Sequence, residues 1–340
     1  MKFILDAEQR LFGETLDKIL TEADTPSVIR GWAAGVHEPG LALWRSLAET
    51  GVLALAVPES AGGAGPLPVE LVTAFHELGR HAVPGPYAET VAVATLLDRL
   101  GDELERGSEW LEGIAEGRVV ASLALPTLPA LPAPAQASAP YALDADAADL
   151  VLLVDGDALR AAAAGEVRAS LDPARRLPSV VAGDVLAAGP SVAAAARVAC
   201  DMGVLATAAQ LVGVGRRLLE VSVDYAKARQ QFGRPIGEFQ AVKHHLADAL
   251  VGLEYARPLV HGAAVSYGSP DFGRDVSAAK VAASEAAYAA AKIALQVHGA
   301  IGYTDEYDPS LWIRKARALH SAWGSPAAHR ARVISSLAGA

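Results

Sequence analysis

The stretch ARQQFGRPIGEFQAVKHHLAD (residues 228–248) decides how this chain is read. A helix runs into Arg229, then Gln230, Gln231, Phe232 and Gly233 make a turn, and Pro235 keeps the first helix from continuing. A second helix is predicted over 238–255, where Phe239, Val242, Leu246, Leu250 and Leu253 step by 3, 4, 4 and 3 along one face. An Arg at the helix end, beside an exposed Gln and Phe, can clamp a phosphate and cover an aromatic ring. The same residues also read as a charged helix end with a buried Phe. A related stretch, QVHGAIGYT (296–304), is a helix exit with closely spaced Gly299 and Gly302. Bare backbone N–H groups there suit a pyrophosphate, and equally an ordinary helix-terminating turn.

Outward from these stretches, residues 191–340 read as a helical bundle, rich in small residues over 277–295 that let helices approach closely. Residues 119–190 change character. VVASLALP, DLVLLVDGDALRAAA and the run around SVVAGDVLAAG are β-like, with Asp155-Gly156 as a hairpin signal. This small β domain is entered through a Pro/Ala-rich connection at 126–140. Residues 1–118 read as helices at 7–19, 40–50, 69–79 and 87–100, with Gly51 suited to cap the second. Gly62, Gly63 and Gly65 lack the Lys-Ser/Thr of a phosphate loop and read as a plain loop. The expected fold class is mainly α with a small β domain.

At 340 residues the chain holds two or three domains. A 52% hydrophobic composition, 20% charged residues and a mean hydropathy of +0.25 provide a large core and exclude wholesale disorder. Thirty-nine acidic against 29 basic residues give a net charge of −10, which argues against a general nucleic-acid binder. The single Cys200 cannot form an internal disulfide or a Cys-rich zinc site. His244-His245 has no companion at metal-ligand spacing, so no metal is expected. The N-terminus turns acidic before a signal-peptide core can form, and no uncharged, proline-free run reaches the length of a membrane span. A cytoplasmic protein with no membrane partner is the expectation.

Taken in order, the motifs resemble those of the acyl-CoA dehydrogenase family. LWRSLAETGVLALAVPESAGGAGPLPVELVTAFHELGRHAVPGPYAE (43–89) is similar to the family's N-terminal helical domain, and SLDPARRL (170–177) to the segment closing its β domain. ARQQFGRPIGEFQAVKHHLAD and QVHGAIGYTDEYDPSLWIRKAR (296–317) are similar to its two most specific C-terminal signatures. The resemblance implies an N-terminal helical domain (1–118), a reduced β domain (119–190) and a C-terminal four-helix bundle (191–340). It also implies FAD and α,β-dehydrogenation of an acyl-CoA thioester, in which a carboxylate removes the α-proton. Arg229, Gln231, Phe232, Gln296 and Gly299 match the family positions that reach across a dimer to the neighbour's FAD; Ala300 replaces the family's usual second Gly there, and Gly302 completes the cofactor-binding set that the resemblance implies.

Two departures qualify that expectation. The position of the family's usual base holds Trp323, and the alternative base position falls on Gly203. The flavin-ring segment is replaced by ALPTLPALPAPAQASAP, without its acidic or glycine residues. The pattern resembles the small, base-lacking subunit of actinobacterial heteromeric enzymes acting on CoA thioesters of sterol side chains. That resemblance implies a larger partner subunit in a heterotetramer, acyl-CoA held mainly by the partner, and an electron-transfer flavoprotein as acceptor. Two alternatives stay open: a self-sufficient enzyme using Asp201 or Glu306 as base, and a flavin-free scaffold subunit.

Overall fold

The computed structural model describes residues 4–129, 131 and 140–339. Six helices form the N-terminal part: α1 (Ala7–Glu22), α2 (Thr25–Ala33), α3 (Glu38–Glu49), α4 (Pro68–Arg80), α5 (Tyr87–Leu100) and α6 (Gly107–Ala115). Helix α1 begins with a reciprocal cap. The Asp6 carboxylate accepts from the Gln9 backbone N–H, and the Gln9 side chain accepts from that of Asp6. Helix α3 stops just before Gly51, which takes the left-handed conformation (φ +84°) that glycine adopts without strain.

A four-stranded sheet follows in the order β1 (Ala121–Ala124), β2 (Leu150–Asp155), β3 (Ala158–Arg168) and β4 (Leu177–Ala188). The first pair is parallel and the other two antiparallel. The expected hairpin forms, with Asp155 pairing Ala158 across a tight turn that places Gly156 at φ +64°. Of VVASLALP only Ala121–Ala124 is strand. Residues 130 and 132–139 of the Pro/Ala-rich connection lie outside the described residues, so the segment expected to replace the flavin-ring motif is described only in part.

The C-terminal part holds α7 (Pro190–Ala228), α8 (Gln240–Val265), α9 (Phe272–His298), α10 (Pro309–Ser321) and α11 (Pro326–Ala338), with α9 packed against the other four. A two-residue ribbon, β5 (Gln230–Gln231) with β6 (Arg234–Pro235), turns the chain between α7 and α8. Most alanines of α9, including Ala279, Ala283, Ala287, Ala290 and Ala294, are buried inside this bundle, while Ala278, Ala282 and Ala289 are half-buried. Helix α7 also completes the N-terminal core. A methyl on Gly213 would sit 1.9 Å from the His76 carbonyl oxygen, and one on Gly79 2.1 Å from that of Gln210, so α4 and α7 cross backbone against backbone. Helix α7 is long and apolar enough to cross a membrane by length and composition, but its most apolar window is 94% buried. It is the core helix of this fold.

The predicted α8 face needs correction. Leu253 is buried and Phe239, Val242 and Leu246 are half-buried as expected, but Leu250 is 39% exposed; the fully buried residues are Ala249, Leu253, Ala256, Val260, Ala263 and Ala264. Small residues seat α8 close to α7 and α9, which rotates Leu250 outward with Val251, Tyr255 and Leu259.

Candidate functional site

The two turn stretches meet at one end of the bundle. Tyr225, one turn before Arg229, stacks on His298 with ring centroids 4.5 Å apart, and His298 directly precedes Gly299. Arg229, Gln231, Gln296, Gly299 and Ala300 are exposed, and Gly302 is buried against Leu295 and His298. Phe232 stands 91% exposed at the tip of the β5–β6 turn with a positive φ of 53°, an unfavourable backbone for a bulky residue. The reading of Phe232 as buried is therefore excluded. Among the described residues the side chains of Arg229, Gln231 and Gln296 make no hydrogen bond or ion pair. Gly299 lies at φ +67°, and a methyl placed there would meet nothing within 4 Å, so its backbone is bare. An unengaged guanidinium, two free amides, an uncovered ring and an open backbone turn thus lie on two turns that the Tyr225–His298 contact brings to one end of the bundle. Such a surface accepts a phosphate and a flat ring.

The second place is a cavity of about 370 Å³ between β1, the start of α5 and the α10–α11 turn. Trp323 and Gly203 come together on its border. A methyl on Gly203 would lie 2.6 Å from the Trp323 indole, so the ring occupies the space above the bare backbone. Trp323 itself takes φ +57°, and its carbonyl accepts from His329 Nε2 at 2.9 Å. Its indole N–H donates to Glu89 Oε1 at 3.2 Å. Gly203→Ala is expected to cost about 1–3 kcal/mol by overpacking. In a Trp323→Ala background the same change should cost much less, which guanidinium denaturation of the four proteins measures.

Sequence reasoning passed over Glu89 and Arg175, which dominate the polar end of this cavity. Glu89 is 5% exposed, its Oε2 has no partner, and burial raises its pKa. Both residues fall inside stretches that the motifs single out, but a lone Glu in a helix and one of two Arg in a loop carry no periodic or spacing signal. Buried charges surround them. Lys280 donates to Ser284 Oγ and the Leu319 carbonyl oxygen, and burial pushes its pKa down to about 7. Lys315 donates to the Ala82 and Val83 carbonyl oxygens and is pushed down to about 8. The Asp144 carboxyl is pushed up to about 7 by burial.

The two alternative bases lie elsewhere. Asp201 is held in a bidentate pair by Arg332, whose Nη2 donates to Oδ2 at 2.9 Å, and Glu306 is exposed beyond the glycine turn. Neither lines the cavity. His244 and His245 are exposed on α8. A larger hollow of about 450 Å³ lies between α1, α4, α7 and α8 and shares no lining residue with the Trp323 cavity. Asp17, Glu77 and His81 converge there as metal ligands would, but Arg80 Nη1 donates to Asp17 and Glu77, each at 3.1 Å, and supplies the positive charge itself.

Residues 6–118 match the acyl-CoA dehydrogenase N-terminal domain and residues 193–338 the acyl-CoA dehydrogenase C-terminal domain. The chain is 32% identical to acyl-CoA dehydrogenase IpdE2 of Mycolicibacterium smegmatis, over 95% of this chain and 96% of that one. Its fold is similar to a chain of the ChsE4–ChsE5 complex from Mycobacterium tuberculosis, with a TM-score of 0.80, 24% identity and full coverage of both chains. It is also similar to a steroid ACAD, with a TM-score of 0.76, 24% identity, 98% of this chain and 99% of that one covered. With both terminal domains matched and a relative aligned along nearly its whole length, the chain belongs to the acyl-CoA dehydrogenase family, oxidoreductases acting on the CH–CH bond of acyl-CoA thioesters.

Proposed function

We propose that this chain is the base-lacking subunit of a heteromeric, FAD-dependent acyl-CoA dehydrogenase, and that it completes its partner's FAD site in trans. The observation that carries the reading is the contrast between its two places. The exposed face of Arg229, Phe232, Gln296 and Gly299 is built and unengaged, whereas Trp323 lies on Gly203 where the resemblance puts a carboxylate. In a dimer of two unlike chains, one can lose its own site and still serve its neighbour's.

The face fits the cofactor: Arg229 is free to pair with a phosphate oxygen, the bare Gly299 turn lets a pyrophosphate approach the backbone, and Phe232 offers a flat surface to an adenine. When bound, FAD supplies the acceptor for hydride from the acyl β-carbon. The partner subunit supplies the base for the α-proton and most of the acyl-CoA contacts. This chain binds and orients the cofactor's phosphates and excludes water at that end. The substrate class is a sterol side-chain CoA thioester and the electron acceptor an electron-transfer flavoprotein, in the cytoplasm. The ChsE4–ChsE5 complex and the steroid ACAD support the assembly and the substrate class as analogies.

The test is expression of the chain alone and with a larger acyl-CoA dehydrogenase subunit, followed by mass and flavin absorbance. A colourless lone chain, with one FAD per unlike pair in a heterotetramer, is expected. A yellow homo-oligomer with one FAD per chain and its own activity would sink the reading.

A further inference from the structure

The 370 Å³ cavity falls within the range of small-molecule pockets, about 300–1,000 Å³, and its walls are of two kinds. One side is apolar, built from Leu123, Leu125, Leu128 and Leu131. The other is polar, formed by Glu89, Arg175 and the Trp323 indole. Buried polar atoms are ordinarily paired, yet Glu89 Oε2 has no partner. Among the described residues the Arg175 guanidinium makes no hydrogen bond and no ion pair within 4 Å. Arg175 and Glu89 sense each other electrostatically without touching, and both also line a crevice of about 10 Å³ that reaches Lys315 and Asp144. The field of Arg175 disfavours charge on Lys280 and Lys315, while Asp172, Asp144 and Glu89 favour it on Lys315.

We propose that this cavity binds an apolar monocarboxylate, with the carboxylate paired to the Arg175 guanidinium and the hydrocarbon lying along the leucines. The guanidinium gives the bidentate geometry that a carboxylate matches. The Trp323 indole holds Glu89 Oε1 at the polar end of the cavity. A neutral alcohol would fill the leucine side equally well but would leave Arg175 without a counter-charge. The proposal does not depend on the trans reading of the FAD face.

The experiment is calorimetric titration of the full chain, using octanoate and octanol as probes. Saturable binding of one octanoate per chain is expected, with octanol at least about tenfold weaker, as loss of a charge-assisted pair implies. Arg175→Met should weaken octanoate by about the same factor, and Arg175→Lys, which keeps the charge, should recover part of it. Equal affinity for octanoate and octanol, or no octanoate uptake by the unsubstituted protein, overturns the proposal without any variant having to fold. Unchanged octanoate affinity in a folded Arg175→Met protein overturns it too. FAD content of the same samples reports on the trans reading separately.

Discussion

A complex carrying Arg229→Ala together with Gln296→Ala is expected to come off purification with its two subunits associated and its flavin depleted. Arg229 is exposed and unengaged within its own chain, so its removal leaves no buried group unpaired and should not disturb the fold. What it removes is one charge-assisted contact to a phosphate, worth about 1.5–3 kcal/mol, or about 10- to 150-fold in affinity. Gln296 adds a neutral contact of about 0.5–1.5 kcal/mol. Flavin absorbance per unlike pair, measured with and without added FAD, reads the loss and its rescue. A Trp323→Ala complex serves as the contrast, because that change touches the cavity rather than the bundle end, and it should keep its flavin. Full flavin in the Arg229/Gln296 double variant would leave this chain as a scaffold.

The second large effect concerns stability. Arg332→Met is expected to cost about 3–5 kcal/mol, because it strands the Asp201 carboxylate in a site where the pair's side chains are only 12% and 8% exposed. Replacing both partners, Asp201→Leu with Arg332→Met, should cost much less than the single change, since an apolar pair of similar volume carries no desolvation penalty. Denaturant midpoints of the three proteins measure both values. The same ion pair explains why Asp201 does not serve as a proton acceptor: its lone pairs are committed to a guanidinium that links α7 to α11. A single change that lowered activity while leaving the midpoint untouched would contradict this structural role.

The fold was largely readable from periodicity and turn chemistry. Gly51 after α3, the Asp155-Gly156 hairpin and the turn before Pro235 each act through local backbone preference, and local preferences survive folding. The convergence of Arg229 and Gln296 was readable as two motifs but not as one surface, because the Tyr225–His298 stack that joins them links residues far apart in the chain. Leu250 misled because it lies at the edge of the covered face, where the smaller Ala249 takes the buried place. Glu89 and Arg175 were illegible for another reason. An unpaired buried carboxylate is defined by what surrounds it, and its surroundings come from α5, the loop after β3 and the α10–α11 turn at once.

The backbone-to-backbone crossing of α4 and α7 also sets an order of events during synthesis. Helices α1 and α6 cover α4 and α5 only in part, and the larger share of their packing is against α7, which is complete only at residue 228. At about 5–20 residues per second, the ribosome needs roughly 5–20 s to travel from residue 118 to that point. Throughout that interval the finished N-terminal helices wait with a half-built core, a state in which chaperone capture or premature association competes with folding. A helix that serves two halves of a molecule thus delays the first half until the second arrives, and makes yield depend on translation speed as well as on final stability.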